Sequence, residues 1–190
     1  MTAGERAAGL VPWVLASLML AGIVHLSSVL LMPRVAPRDA FGQLAAFVVP
    51  GGLRALPVPE PGQEVLPLLD PAFAYAVCGY DLATGPLRVQ ASLAAGAFVS
   101  MSFHSRRGLV YYSFTDRAAS RGKIEVRVLT VSQLVQVEAQ DKDDEPIEEL
   151  RLLAPEAEGF VLLRALATSP SELAAAQGRL AAIGCTATRL

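Results

Sequence analysis

Only two histidines and two cysteines occur among the 190 residues, and the cysteines, Cys78 and Cys185, stand far apart. A structural zinc site draws four nitrogen or sulfur ligands together, so no metal site is expected, and no motif implies a cofactor. Charge is scarce: 18% of residues are Asp, Glu, Lys or Arg, against about 25% in an average soluble domain. A net charge of −2 lacks the basic excess that displaces counterions from phosphates, which excludes a nucleic-acid partner. Gly51-Gly52 runs into Leu-Arg-Ala-Leu-Pro rather than a phosphate-cradling loop, and no G-x-S-x-G nucleophile elbow occurs. The acidic run DKDDEPIEE lacks a glycine at loop position six and has Leu152 where a calcium loop needs its bidentate Glu. It reads as a solvated loop. What the chain has in plenty is apolar residues, 53% of the total, enough to exclude disorder as its main state.

Much of that excess lies at the N-terminus. Ala7 to Met32 holds 26 residues without one Asp, Glu, Lys or Arg. Backbone amides cross hydrocarbon only when satisfied internally, so the run should be helical, reaching about 39 Å against a core of roughly 30 Å. Trp13 near one end and Arg34 and Arg38 beyond the other suit the two interfaces, and Pro12 falls in the first turn or two, where its missing N–H costs little. A cleaved signal peptide would have a shorter apolar region and a small-x-small site, and Met32-Pro33-Arg34-Val35 offers none. Arg6, offset by Glu5, against Arg34 and Arg38 puts the following domain in the cytoplasm if positive charges are counted literally. His25, with no second ionisable group in the span, reads as a neutral imidazole bonded locally rather than a proton relay.

Past the span, Phe41, Leu44 and Phe47 share a helical face behind Pro37. Six prolines between Pro50 and Pro71 exclude a helix and disfavour a central strand, leaving a semi-rigid tether or an extended strap across the domain. The period then changes to two. Phe98–His104 and Leu109–Thr115 alternate around Ser105-Arg106-Arg107-Gly108, a hairpin. Pairing His104 with Leu109 sets Phe103 against Val110, Met101 against Tyr112 and Val99 against Phe114; a slip of one residue would destroy the sorting of faces. Further strands are expected at 75–82, 87–93, 124–129, 150–153 and 160–166, while 131–139 is ambiguous between helix and strand. Ser169-Pro170-Ser171-Glu172 reads as a capping box opening a C-terminal helix over 170–183, with Leu173, Leu180 and Ile183 facing the domain and Gly184 ending it. The predicted architecture is mainly β: a tail (1–6), a transmembrane helix (7–32), a juxtamembrane helix and proline-rich tether (33–71), and an antiparallel β-sandwich-like domain (72–190) with its C-terminal helix.

Chemistry is thinly supported. The predicted register places Ser100, Ser102, His104 and Tyr111 on one sheet face, either a solvated surface or the floor of a groove for a small-molecule or lipid-derived ligand. Ser102 and His104 at i, i+2 are roughly 6–7 Å apart at Cβ, beyond the reach of a nucleophile–base pair unless the strand is distorted. A hydrolase would need His104 to meet Asp81 or Asp116 in one concave site. No catalytic residue is assigned, and the chain reads as non-catalytic. Cys78 and Cys185 are either a disulfide pinning the C-terminal helix to an early strand or two buried thiols. Between Pro86 and Arg127 seven basic residues stand against Asp116 and Glu125, whereas 138–158 is strongly acidic. The basic hairpins face that acidic segment, anionic headgroups or an acidic partner.

HLSSVLLMPRVAPRDAF after the apolar run, LPLLDPAFAYAVCGYDLATGPLRV, and the hairpin FVSMSFHSRRGLVYYSFTDRAA together resemble a bacterial membrane-protein family. It is the family carrying the domain of unknown function 1254, in a short, membrane-anchored form. The likeness covers about residues 20–185 and is strongest between Asp70 and Arg117. It implies a β-rich fold, a single pass through the bacterial inner membrane, and a second membrane or envelope β-sandwich protein as partner beside the bilayer itself. It also implies an outward-facing, periplasmic and oxidised domain, since Cys78 and Cys185 fall where such short forms carry cysteines. No catalytic residue transfers with it.

Overall fold

The computed structural model describes residues 3–35, 39–60, 62–93, 96–141 and 148–188. The chain divides into two units, Met1–Pro37 and Arg38–Leu190. The first is a single helix, α1 (Ala3–Val35), of 33 residues. Its Gly9–Met32 stretch is long and apolar enough to cross a membrane, and none of it is buried. Starting at Ala3, the helix carries Pro12 in its third turn rather than its first or second. The Ser28 hydroxyl donates to the Val24 carbonyl at 2.8 Å, the internal satisfaction that a polar side chain needs in hydrocarbon.

The second unit opens with α2 (Ala40–Leu44), capped by the Asp39 carboxylate, which accepts from the Gly42 N–H at 2.6 Å. Then follow β1 (Leu53–Ala55), β2 (Phe73–Asp81), β3 (Leu87–Ser92), β4 (Val99–Ser105), β5 (Val110–Thr115), β6 (Lys123–Leu129), α3 (Val131–Glu138), β7 (Leu150–Leu153), β8 (Glu158–Leu166), α4 (Leu173–Ala181) and β9 (Gly184–Ala187). Two sheets form, ordered β1-β2-β8-β4-β5 and β7-β6-β3-β9. Among the described residues every strand pairing is antiparallel except β6 with β7, which run parallel with α3 between them in sequence. The ambiguous 131–139 segment is therefore helical. A Thr130–Gln133 capping box starts it, a T-x-x-Q signal visible in the sequence but not used there.

The main core lies between the sheets, where Val89, Val126 and Val128 of one meet Met101, Phe103 and Leu163 of the other, with Leu180 and Ile183 closing one side. A second cluster covers the opposite face of the five-stranded sheet. There Tyr75, Val77 and Phe160 pack against Leu44 and Leu56. The larger sheet is thus apolar on both faces, and this is why β2 is buried continuously from Ala74 to Tyr80 instead of alternating.

The proline-rich segment is a strap and not a tether, so the domain begins near residue 38 rather than at 72. Gly51 N–H donates to the Gly79 carbonyl and Leu56 N–H to that of Tyr75, both at 2.9 Å. Between them β1 adds an edge strand where prolines on either side interrupt no interior ladder. Cys78 and Cys185 form a disulfide with Cα atoms 6.6 Å apart. It joins β2 to β9, a strand the sequence reading missed beyond the expected helix end at Gly184, so the cross-link pins a strand and not the helix. The expected capping box does not form, and a 3-10 turn over 170–172 precedes α4. Ser169 makes no side-chain cap, while the Glu172 carboxylate accepts from the backbone N–H of Thr168 at 2.9 Å and from its hydroxyl.

Candidate functional site

The β4–β5 hairpin carries the side chains nominated from the sequence, and its register decides which of them meet. Phe103 pairs with Tyr112 and Met101 with Phe114, two residues further along β5 than expected. Half of the shift comes from the turn. It has three residues, 106–108, closed by Ser105 N–H to the Leu109 carbonyl at 2.9 Å, with Gly108 at φ 80°, the left-handed position such a loop reserves for glycine. The other half is a β-bulge between His104 and Phe103 that leaves Tyr111 unpaired. Both Tyr111 and Tyr112 lie against Phe103, at ring separations of 6.3 and 6.5 Å.

The four nominated residues are therefore divided. Tyr111 packs on the core between the sheets, beside Tyr80, whose hydroxyl donates to the His104 carbonyl at 3.0 Å. Burial pushes the Tyr80 phenol up to about 12 and that of Tyr111 upward too, so both stay neutral, and the buried Tyr111 hydroxyl meets no hydrogen-bond partner among the described residues. Ser100, Ser102 and the His104 ring occupy the other face, and it is not an open groove floor: Ser100 is 5% and Ser102 7% exposed.

On that face Ser102 and His104 do meet. His104 Nδ1 is 3.2 Å from the Gly108 carbonyl, which can only accept, so Nδ1 carries the proton and Nε2 accepts from the Ser102 hydroxyl at 2.9 Å. The ring stacks on Phe160 at 4.5 Å, nearly parallel. β4 keeps an unbroken register with β8 through both residues, so the reach of the imidazole rather than a bent strand closes the gap. The expectation that the pair cannot meet on a regular strand is overturned. The pair has the order of nucleophile, base and orienting acceptor, but the acceptor is the Gly108 carbonyl and not Asp81 or Asp116. The Asp81 carboxylate instead accepts from the Ala83 N–H at 2.9 Å. Arg164 Nε donates to the Ser100 hydroxyl at 3.1 Å, completing a satisfied polar cluster within a sheet.

Desolvation lowers the His104 pKa below its ordinary 6.5, partly opposed by the Gly108 hydrogen bond and reinforced by the Arg164 charge. The consequence for stability has a definite sign. Above about pH 6.5 the imidazole is neutral folded and unfolded; below it the unfolded chain takes a proton that the folded one resists, so stability falls. Replacing His104 with Gln should flatten the part of the stability profile between pH 6.5 and 5, read from denaturant midpoints of both proteins across that range. An unchanged difference between the two would contradict this origin.

Charges pair across the domain. Arg107 meets Glu156 at 3.4 Å, Arg106 reaches Glu158 at 3.8 Å and Asp39 at 3.5 Å, and Arg127 meets Glu149 at 2.9 Å. Arg151 holds Asp141 by two 2.6 Å contacts, which lower that carboxyl's pKa. The basic hairpin thus faces acids of its own chain; residues 142–147 of the acidic run lie outside the described residues. Among the described residues no group of three His, Cys, Asp or Glu side chains is placed to hold a metal ion. An apolar cleft of about 320 Å³, unforeseen in the sequence, opens between β1 and α4, lined by Leu53, Tyr75, Gln177, Leu180 and Cys185 among others.

The chain matches no protein-family model and no curated protein. Among solved structures, it is similar to the VPA0106 protein from Vibrio parahaemolyticus, with a TM-score of 0.49 and 10% identity over 64% of this chain and 29% of that one. It is also similar to an uncharacterized protein from Burkholderia cenocepacia, with a TM-score of 0.44 and 15% identity over 68% of this chain and 34% of that one. The chain spans about a third of the length of each.

Proposed function

We propose that the protein is a single-pass bacterial membrane protein whose β-sandwich is a non-catalytic interaction module of the cell envelope, a short form of the family carrying the domain of unknown function 1254. The observation that carries this reading is α1: a 24-residue apolar stretch whose side chains, all exposed, find no cover in their own unit. Support for the outward, periplasmic side comes from the disulfide, because such bonds persist in oxidising compartments. This outweighs the one- or two-charge bias of the flanks. Support for a non-catalytic role comes from Ser102, buried, and His104, half-buried, whose polar atoms are taken up by each other and by the Gly108 carbonyl of the turn.

Washing native membranes with alkaline carbonate tests the anchor. The full-length chain should stay in the pellet with its N-terminus intact. Release into the supernatant, or a mature chain starting after residue 32, would remove the basis of the reading. A membrane-impermeant thiol reagent applied to intact cells after mild reduction then reports the side: modification of Cys78 or Cys185 places the domain outside.

A further inference from the structure

We infer that β5 is the docking edge of the domain, and that it accepts an extended strand of a different protein with acidic residues at the end lying beside Arg117 and Arg121. This rests on the interaction-module reading and names its surface. β5 ends the five-stranded sheet and pairs with β4 alone, so along its outer side every second N–H and C=O has no partner strand among the described residues. Such an edge is a template for another chain unless it is shortened, charged or covered.

The other edges are protected in those ways. β1 has three residues, carries Arg54 and packs on α4. β7 has four and places Arg151 in ion pairs, and β9 has four and is tied by the disulfide. β5 instead has six residues, Val-Tyr-Tyr-Ser-Phe-Thr, without a charge. Leu109, Val110 and Tyr112 are 67%, 49% and 40% exposed on it or at its start. The bulge at Tyr111 disturbs only the turn end, leaving 112–115 regular for pairing.

The charges at the two ends choose the occupant. At the turn end Arg106 and Arg107 already have Asp39, Glu158 and Glu156. At the other end Arg117 and Arg121 are exposed and have no acid partner among the described residues. A second copy does not answer this. Parallel self-pairing sets Arg117 beside Arg117, and antiparallel self-pairing sets it beside arginines whose acids are engaged, while like charges across a ladder destabilise it. An apolar strand ending in Asp or Glu answers both the unpaired backbone and the unpaired cations.

The test uses the full chain at native abundance in its own cells, with p-benzoylphenylalanine in place of Ser113, and in a separate strain in place of Val131, an exposed apolar residue on α3 (68%). Ultraviolet light should join position 113 to one other protein. Peptide mapping should put the cross-link in a partner segment of alternating apolar residues with acids at the end facing Arg117. The double variant Arg117→Glu/Arg121→Glu, with an unchanged unfolding midpoint, should reduce the yield roughly tenfold. A cross-link from 113 to a second copy, to a helix or to a basic segment overturns the proposal. Products from 131 with none from 113 also overturn it, but leave the interaction module standing on another surface. Silence from both positions removes the proposal and the module together.

Discussion

Replacing both Cys78 and Cys185 with Ala should lower the unfolding free energy of the domain by about 3–5 kcal/mol. Reductant should bring the parent protein to the same level and leave the double variant unmoved. The size follows from the ring the bond closes. The cysteines are 107 residues apart in sequence, and on the chain-entropy account a loop of about 100 residues closed in the unfolded chain is worth about 4.7 kcal/mol. Loss of packing adds little, because Ala keeps each Cβ and Cys185 already borders the cleft between β1 and α4. The local consequence is as informative as the total. β9 is four residues long and among the described residues pairs with β3 alone, so without the cross-link it should open first. Guanidinium unfolding of the detergent-solubilised chain gives the free energy, and hydrogen exchange at 184–187 gives the local opening. A loss under 1 kcal/mol, with β9 amides still slow, would mean that the ladder and α4 hold this corner unaided.

How far the sequence could foresee this structure depends on which physical signal each part carries. The apolar run is legible because it is long and uncharged, and the β4–β5 hairpin because its period of two repeats along both strands. The register of the hairpin is not, since a shift of two residues returns every side chain to the same face; only Gly108 and the bulge at Tyr111 separate the alternatives. That ambiguity matters for the site, because the bulge sends Tyr111 to the core and the three-residue turn brings the Gly108 carbonyl to His104. β1 and β9 have three and four residues, too few for a period, and owe their place to the strap and the disulfide. The strap itself was masked by its prolines, which forbid a helix but not an edge strand. Nor does local pattern reveal that the Ser100–His104 face is covered: that depends on Leu44, Leu56 and Phe160, brought together only by tertiary packing.

Gly159 should be the most sensitive single position: Gly159→Ala is expected to cost about 3–5 kcal/mol, the sum of overpacking and a broken buried hydrogen bond. In the sequence this glycine marks only a break before an apolar strand. In the fold it lies within β8, opposite Tyr80 on β2 and Ser105 on β4. Its bare α-carbon is what lets the Tyr80 phenol pass over β8 to the His104 carbonyl. A methyl group there would press on both the Tyr80 hydroxyl and the His104 carbonyl oxygen. The oxygen belongs to the backbone and cannot rotate away, so the hydrogen bond at 3.0 Å opens, leaving its donor and acceptor in a dry interior. A double-mutant cycle isolates this cause. Tyr80→Phe alone should cost about 1 kcal/mol, the usual net worth of one hydrogen bond. Combined with Gly159→Ala it should cost clearly less than the two separate losses added, because the hydroxyl that the methyl group collides with is already gone. Strict additivity in guanidinium unfolding would place the strain at the backbone alone and deny Tyr80 its role as the bridge between β2 and β4.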